Sequence, residues 1–534
     1  MENNYADIVI LGADIFYGSS MHRLNGAIAI NGGKIIYVGD EEAVKRYICK
    51  DTLVIDALGR TVLPGLIDSH IHLIPYGLSM QYIDLRNVDS IDSMKELIRK
   101  EVSRRRPVEW IIGRGWDQER FTESRYPNRH DIDDVAPENP VLLIRICGHI
   151  ALANTMALKM AGIDQDTQDP PGGIIERDSD GYPTGILKEN AIELVRRVIP
   201  RPTPRELMDA AERAINKCLE KGVTTVHFMS ALPEEIEALY SLHKSGRLKI
   251  RVRIYVDQRF YRDVLEKFGR SLDGEWIRIN GVKIFADGSF GGRTAALREP
   301  YSDKRDTSGK LIYTTDELCA IIDEVASNGM QLAIHGIGDL AIETILSAME
   351  KALGPKNIRQ YRHRIEHGSL MPPDLVEKAS KLGVVISTQP GFIKADFWLP
   401  ERLGVERVKH VYNFRTLLNN GIVLCAGSDA PVDEVEPLIG IYLAVSRGGP
   451  SNKLYRFSKS ESIGLTDAIK MYSTNAAYAG HDEDKIGSIE QGKYADLIIL
   501  DRRINNMEDL LDARVWMAIV DGKIVYERLI RGNS

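Results

Sequence analysis

The sequence predicts an α/β protein. It reads as a (β/α)8 TIM barrel with a small composite β domain from both termini and a large insertion after the first barrel strand. Three observations predict it: helix, glycine and apolar strand recur as one unit, the two ends carry similar hairpins, and one long stretch interrupts the repeat.

The ends come first. Gly26-Ala-Ile-Ala-Ile-Asn-Gly-Gly-Lys-Ile-Ile-Tyr-Val38 reads as two short strands around an Asn-Gly-Gly turn, and Val515-Trp-Met-Ala-Ile-Val-Asp-Gly-Lys-Ile-Val-Tyr526 repeats the pattern around Asp521-Gly522. Ala495-Asp-Leu-Ile-Ile-Leu-Asp501 echoes Ala6-Asp-Ile-Val-Ile-Leu11. Isolated hairpins are marginal in water, so residues 1–60 and 484–534 are expected to form one composite β-sandwich domain.

Residues 61–483 are expected to form the barrel. A helical stretch from Pro204 to Lys221 ends at Gly222 before Val-Thr-Thr-Val-His-Phe228. Others end at Gly329 before Met330–His335, at Gly383 before Val384–Thr388, and at Gly421 before Ile422–Asp429. Glycine just past a helix supplies a left-handed cap, and the apolar run after it suits a strand buried on both faces. Capping-box patterns at Thr203–Glu206 and Thr314–Glu317 mark helix starts. Such alternation implies a parallel sheet, open or closed.

The interruption follows a strand expected near Thr61–Ile67. Barrel loops are short, so the roughly 130 extra residues must fold as a subdomain. It is assigned to 75–203 and expected over the barrel mouth, with Trp110–Trp116 and Val141–Ile146 as strands.

Composition excludes several classes. Over 534 residues, 43% are hydrophobic and 27% charged, an ordinary globular balance, and the length implies more than one domain. The net charge of −7 and the lack of basic runs give no reason to expect a nucleic-acid partner. The five cysteines are scattered, with no C-x-x-C pair, which suits reduced thiols. No signal-peptide pattern and no membrane-length apolar run is read, so a cytoplasmic chain with no membrane partner is expected. A small-molecule substrate is the expected partner; a homo-oligomer is left open.

The chemistry starts at Pro64-Gly-Leu-Ile-Asp-Ser-His-Ile-His72. His70 and His72 are two apart at a strand end, so both rings face one side and can share an ion. His335 ends Leu332-Ala-Ile, His367 ends Arg364-Ile-Glu, and Asp429 ends Val423–Ser428. Each alone has a plain explanation as a core histidine or a helix cap. Together they are five potential ligands at the C-terminal ends of predicted strands, which a barrel gathers and an open sheet scatters. Lys283 shares a face with Phe285 and Asp287 in an apolar strand. Its alternatives are an ion pair with Asp287 or another barrel carboxylate and a desolvated, neutral amine that takes up CO2 as a bridging carbamate.

The Pro64–His72 segment resembles the first-strand motif of the amidohydrolase superfamily, and Lys283, His335, His367 and Asp429 resemble its binuclear pattern on strands four, five, six and eight. Cys147-Gly-His149 with Asn154–Leu158, Lys283–Ser289 and His335–Asp339 resemble the YtcJ-like branch, which includes N-substituted formamide deformylases. The resemblance implies Zn2+ as cofactor, one or two ions per chain, with Mn2+, Co2+ or Fe2+ as alternatives. His70, His72 and Asp429 would hold one ion, His335 and His367 the other, with carboxylated Lys283 between them and Asp429 as general base. His149 is a further catalytic candidate, through a hydrogen bond to the substrate or its oxyanion. Trp116, Asp117, Asp287, Ser289 and Arg293 are candidate substrate contacts. Glu366 and Gln389 are candidate supports for the ligands, and His227, His243, His410 and His481 receive no role.

The expected reaction is hydrolysis of a C–N amide bond, in an N-acyl or N-formyl amine. A lactone or ester hydrolase would use the same site. The non-enzymatic alternative is a metal-free barrel relative acting as a binding scaffold, against which the intact positions 70, 72, 335, 367 and 429 speak.

Overall fold

A computed structural model describes residues 5–146, 148–269 and 271–529. The chain divides into two compact units, Leu78–Glu206 and the remainder.

In the larger unit, eight parallel strands follow one another around a barrel. In order they are Leu66–Ile71, Val223–Ala231, Arg251–Asp257, Ile277–Phe285, Gln331–Gly336, Arg364–His367, Val385–Thr388 and Leu424–Ala426. Each pairs in parallel with the next. Their residues are almost wholly buried, because side chains point either into the barrel or against the helices outside. The helices Pro204–Glu220, Thr315–Ser327, Pro373–Leu382 and Phe414–Asn419 end where the sequence predicts, beside Gly222, Gly329, Gly383 and Gly421, all at positive φ.

The seam between the eighth and first strands is closed at the C-terminal end of the barrel. The Asp429 N–H donates to the His70 carbonyl at 2.7 Å. Buried Asp68 accepts from the N–H groups of His70 at 3.1 Å and Ser428 at 3.0 Å. A Cβ at Gly427 would lie 2.4 Å from the His70 nitrogen, so only glycine lets these two strand ends meet.

Strands from both termini share one eight-stranded sheet. Lys523–Glu527, Val515–Val520 and Leu497–Leu500 continue into Thr61–Pro64 and then Ile8–Tyr17, His22–Asn31 and Lys34–Gly39, while Leu53–Asp56 lies beside Ile8–Tyr17. The apolar run expected as one strand near Thr61–Ile67 is therefore two. Thr61–Pro64 belongs to the terminal sheet and Leu66–Ile71 to the barrel. Gly65 is the joint, and a Cβ there would sit 2.1 Å from Thr224 Oγ1.

The smaller unit has its own six-stranded sheet, ordered Gly173–Arg177, Pro183–Glu189, Ile150–Ala153, Val141–Arg145, Ile111–Trp116 and Ile83–Asp84. Its core gathers Trp116 with Leu143, Met94, Ile98 and Phe121. Among the described residues, no helix is long and apolar enough to cross a membrane.

Candidate metal centre

Each candidate histidine uses one ring nitrogen to hold its orientation. His70 Nδ1 lies 2.6 Å from Glu366 Oε2, His72 Nδ1 3.1 Å from the Met229 carbonyl, and His367 Nδ1 2.7 Å from Gln389 Oε1. His335 uses the other nitrogen: its Nε2 faces the Gly288 carbonyl at 3.0 Å and Asp287 at 3.5 Å. Every one of these partners is an oxygen acceptor, so the facing nitrogen carries the proton. That assigns lone pairs to Nε2 of His70, His72 and His367 and to Nδ1 of His335.

The rings converge. The centroids of His70 and His72 are 5.7 Å apart, those of His70 and His367 4.9 Å, and those of His335 and His367 4.4 Å. Asp429 Oδ1 lies 3.3 Å from both His70 Nε2 and His72 Nε2. Ligand atoms of His70, His367 and Asp429 all fall within 4.8 Å of one another. Lys283 Nζ stands 3.5 Å from His70 Nε2.

This donor set fits a divalent ion. Two ligands about 2.1 Å from one ion in tetrahedral array stand about 3.4 Å apart, close to the spacing found around Asp429. Neutral imidazole is the form that binds metal, and burial enforces it at His335 and His367. Burial, reinforced by the Lys283 charge, pushes His335 down to about 3. Burial and then His335 hold His367 well below its ordinary value. Burial would raise Asp429, but the His70 and His72 rings outweigh it and keep the carboxyl well below the usual range. Lys283, fully buried, is pushed down to about 8 by desolvation, against the pull of Glu366 and Asp429. His367 (φ 70°) and Asp429 (φ 60°) sit in the left-handed backbone region, at a cost of about 1–3 kcal/mol each.

Glu366 and Gln389 thus hold His70 and His367. Three groups next to them escaped the sequence reading. Asp68 ties the strand-one and strand-eight backbones. Arg364 grips Glu366 through Nε at 2.7 Å and Nη2 at 3.0 Å. The Tyr255 hydroxyl accepts from Arg364 Nη1 at 3.1 Å. The available signal was Arg364-Ile-Glu366, two charges on one face of a buried strand, the same clue that singled out Lys283.

The candidate substrate contacts are less united. Trp116 is core of the smaller unit, its Nε1 donating to the Leu143 carbonyl at 2.8 Å. Asp117 pairs with Arg145 at 2.6 Å and caps a short turn at Gln118–Arg120. His149 is partly exposed and faces Glu189 at 2.9 Å; its motif neighbour Cys147 lies outside the described residues. Asp287 does not pair with Lys283; of the barrel carboxylates the plain alternative allowed, Glu366 and Asp429 are the ones that act on that lysine. The Asp287 carboxylate accepts from the N–H groups of Ala296, Ile337 and Gly338, and burial pushes it up to about 7. It therefore braces two loops beside His335. Ser289 is exposed and accepts from the Gly292 N–H, and Arg293 is paired with Asp303 at 2.8 Å.

Residues 53–526 match the profile of the Amidohydrolase family. The chain is 33% identical to the amidohydrolase YtcJ of Bacillus subtilis, over 94% of this chain and 96% of that one. It is 28% identical to the N-substituted formamide deformylase of Arthrobacter pascens, over 98% of both. Its structure resembles that of a metal-dependent hydrolase from Pyrococcus horikoshii, with a TM-score of 0.80 and 33% identity over 93% of this chain and 97% of that one. The chain belongs to the amidohydrolase family and is a metal-dependent hydrolase.

Proposed function

We propose that this enzyme hydrolyses the C–N bond of a small N-acyl or N-formyl amine with Zn2+ at the site described above. The observation that carries the reading is the set of four imidazoles, each anchored by one nitrogen: those of His70, His72 and His367 surround Asp429, the His335 ring packs on His367, and Lys283 reaches His70. His70, His72 and Asp429 would hold one ion and His335 and His367 a second, with Lys283 as a carbamate between them. Imidazole and carboxylate donors suit zinc among the common divalent ions. A bound ion supplies a hydroxide nucleophile near neutral pH and polarises the substrate carbonyl.

The side chains do the rest. Asp429 stays an anion at neutral pH, accepts the proton of the attacking water at its carboxylate, and returns it to the departing nitrogen. Phe285, 5.4 Å from His335, and Phe392, stacked 6.5 Å from His367, give apolar faces that limit water around the reacting carbonyl. The likeness to a formamide deformylase favours an N-formyl substrate.

The test is a panel of N-formyl, N-acetyl and cyclic amides, with lactones, assayed on metal-reconstituted enzyme. Turnover of N-formyl or N-acyl amines, lost in Asp429→Asn, is expected. Turnover of lactones alone would overturn the amide reading.

A further inference from the structure

One side chain beneath the candidate ligands joins four barrel strands. Arg364 is fully buried, and all five of its N–H groups have acceptors. Nε and Nη2 grip Glu366 side-on, and Nη2 also reaches the Ser69 carbonyl at 2.7 Å. Nη1 reaches His227 Nδ1 at 2.8 Å and the Tyr255 hydroxyl at 3.1 Å. Tyr255 in turn donates to Gln331 Oε1 at 2.6 Å.

Two paths therefore run from this guanidinium to His70. One passes through the Glu366 carboxylate, which accepts from His70 Nδ1 at 2.6 Å. The other passes through the Ser69 carbonyl, the peptide link that leads into His70. We propose that Arg364 is a positioning residue for the metal centre: it fixes Glu366 and the Ser69–His70 peptide together, and so aims His70 Nε2 at the ion. The inference rests on the metal reading given above. A lysine supplies one point charge and cannot span Glu366, Ser69, His227 and Tyr255 at once, so the geometry needs the planar fork.

The full-length chain, stripped of metal, is titrated with Zn2+ against a chromophoric chelator, and its Co2+ absorption spectrum is recorded. Removing the support of a metal-binding histidine is expected to weaken affinity about 10–100-fold. Arg364→Met should show that loss with an altered Co2+ spectrum, and Arg364→Lys a smaller one. Because one of the two paths runs through Glu366, Arg364→Met with Glu366→Gln should lose less affinity than the sum of the two single losses. The metal-free unfolding midpoint of each variant is measured alongside. If Arg364→Met does not fold, Arg364→Lys and the charge-balanced double variant carry the comparison. Wild-type affinity and spectrum in the folded Arg364 variants, or single losses that simply add in the double, would overturn the proposal. A wild-type chain that binds neither ion would overturn the metal reading itself, and this inference with it.

Discussion

Lys283 Nζ faces Nε2 of His70 across 3.5 Å, and the ring of Phe285 covers it at 4.9 Å. Burial makes Lys283 poorly placed as a permanent cation, and desolvation brings it to about 8 against the pull of Glu366 and Asp429. Only the neutral amine adds to CO2, losing a proton as the carbamate forms. At a fixed concentration of dissolved CO2, reactivation of stripped enzyme by metal should therefore be faster at about pH 9 than at about pH 7, as the amine deprotonates. Labelled bicarbonate should give a carbamate carbon signal that Lys283→Ala lacks. Unchanged metal content and activity in that variant would remove the bridge.

Asp429 is asked both to bind an ion and to move a proton. Asp429→Asn should lower kcat by at least about 100-fold, the lower range for general acid–base catalysis. Steady-state kinetics at saturating metal provide the check, and a change confined to KM would exclude the proton-transfer role.

Metal removal should cost stability as well as activity. Four imidazole rings and a carboxylate are brought together, so a bound ion should raise the unfolding free energy, by about 4 kcal/mol at a thousandfold excess over Kd. Calorimetry with and without a chelator reads this directly. Identical midpoints would contradict it.

Arg253, buried on the third barrel strand, pairs with buried Asp482 at 2.5 Å. Arg253→Met should destabilise the fold by about 3–5 kcal/mol, because it leaves a buried carboxylate without this partner. Arg253→Met with Asp482→Leu should recover much of that loss. Urea unfolding of both variants tests the pair, and a loss below about 1 kcal/mol in the single variant would show that Asp482 is compensated from elsewhere.

These buried charges also explain what was legible. Units with an apolar strand behind a capping glycine stood out, as at Gly222, Gly329, Gly383 and Gly421. The third strand, Arg251–Asp257, carries two arginines and did not, since Asp496 and Asp482, which neutralise them, lie more than 200 residues away. The metal ligands were readable because histidine and aspartate at strand ends are chemically unusual. Trp116 and Asp287 were not, because an isolated aromatic or acid says nothing about which way it points. Trp116 turns into a core, and Asp287 collects three backbone N–H groups.

The central claim is that distant side chains share bound cations. Anomalous diffraction at the zinc edge from crystals of the metal-loaded enzyme tests it most directly. The predicted map has strong density in contact with Nε2 of His70 and His72, Asp429, Nε2 of His367 and Nδ1 of His335. A map with no peak within bonding distance of those atoms would contradict the account.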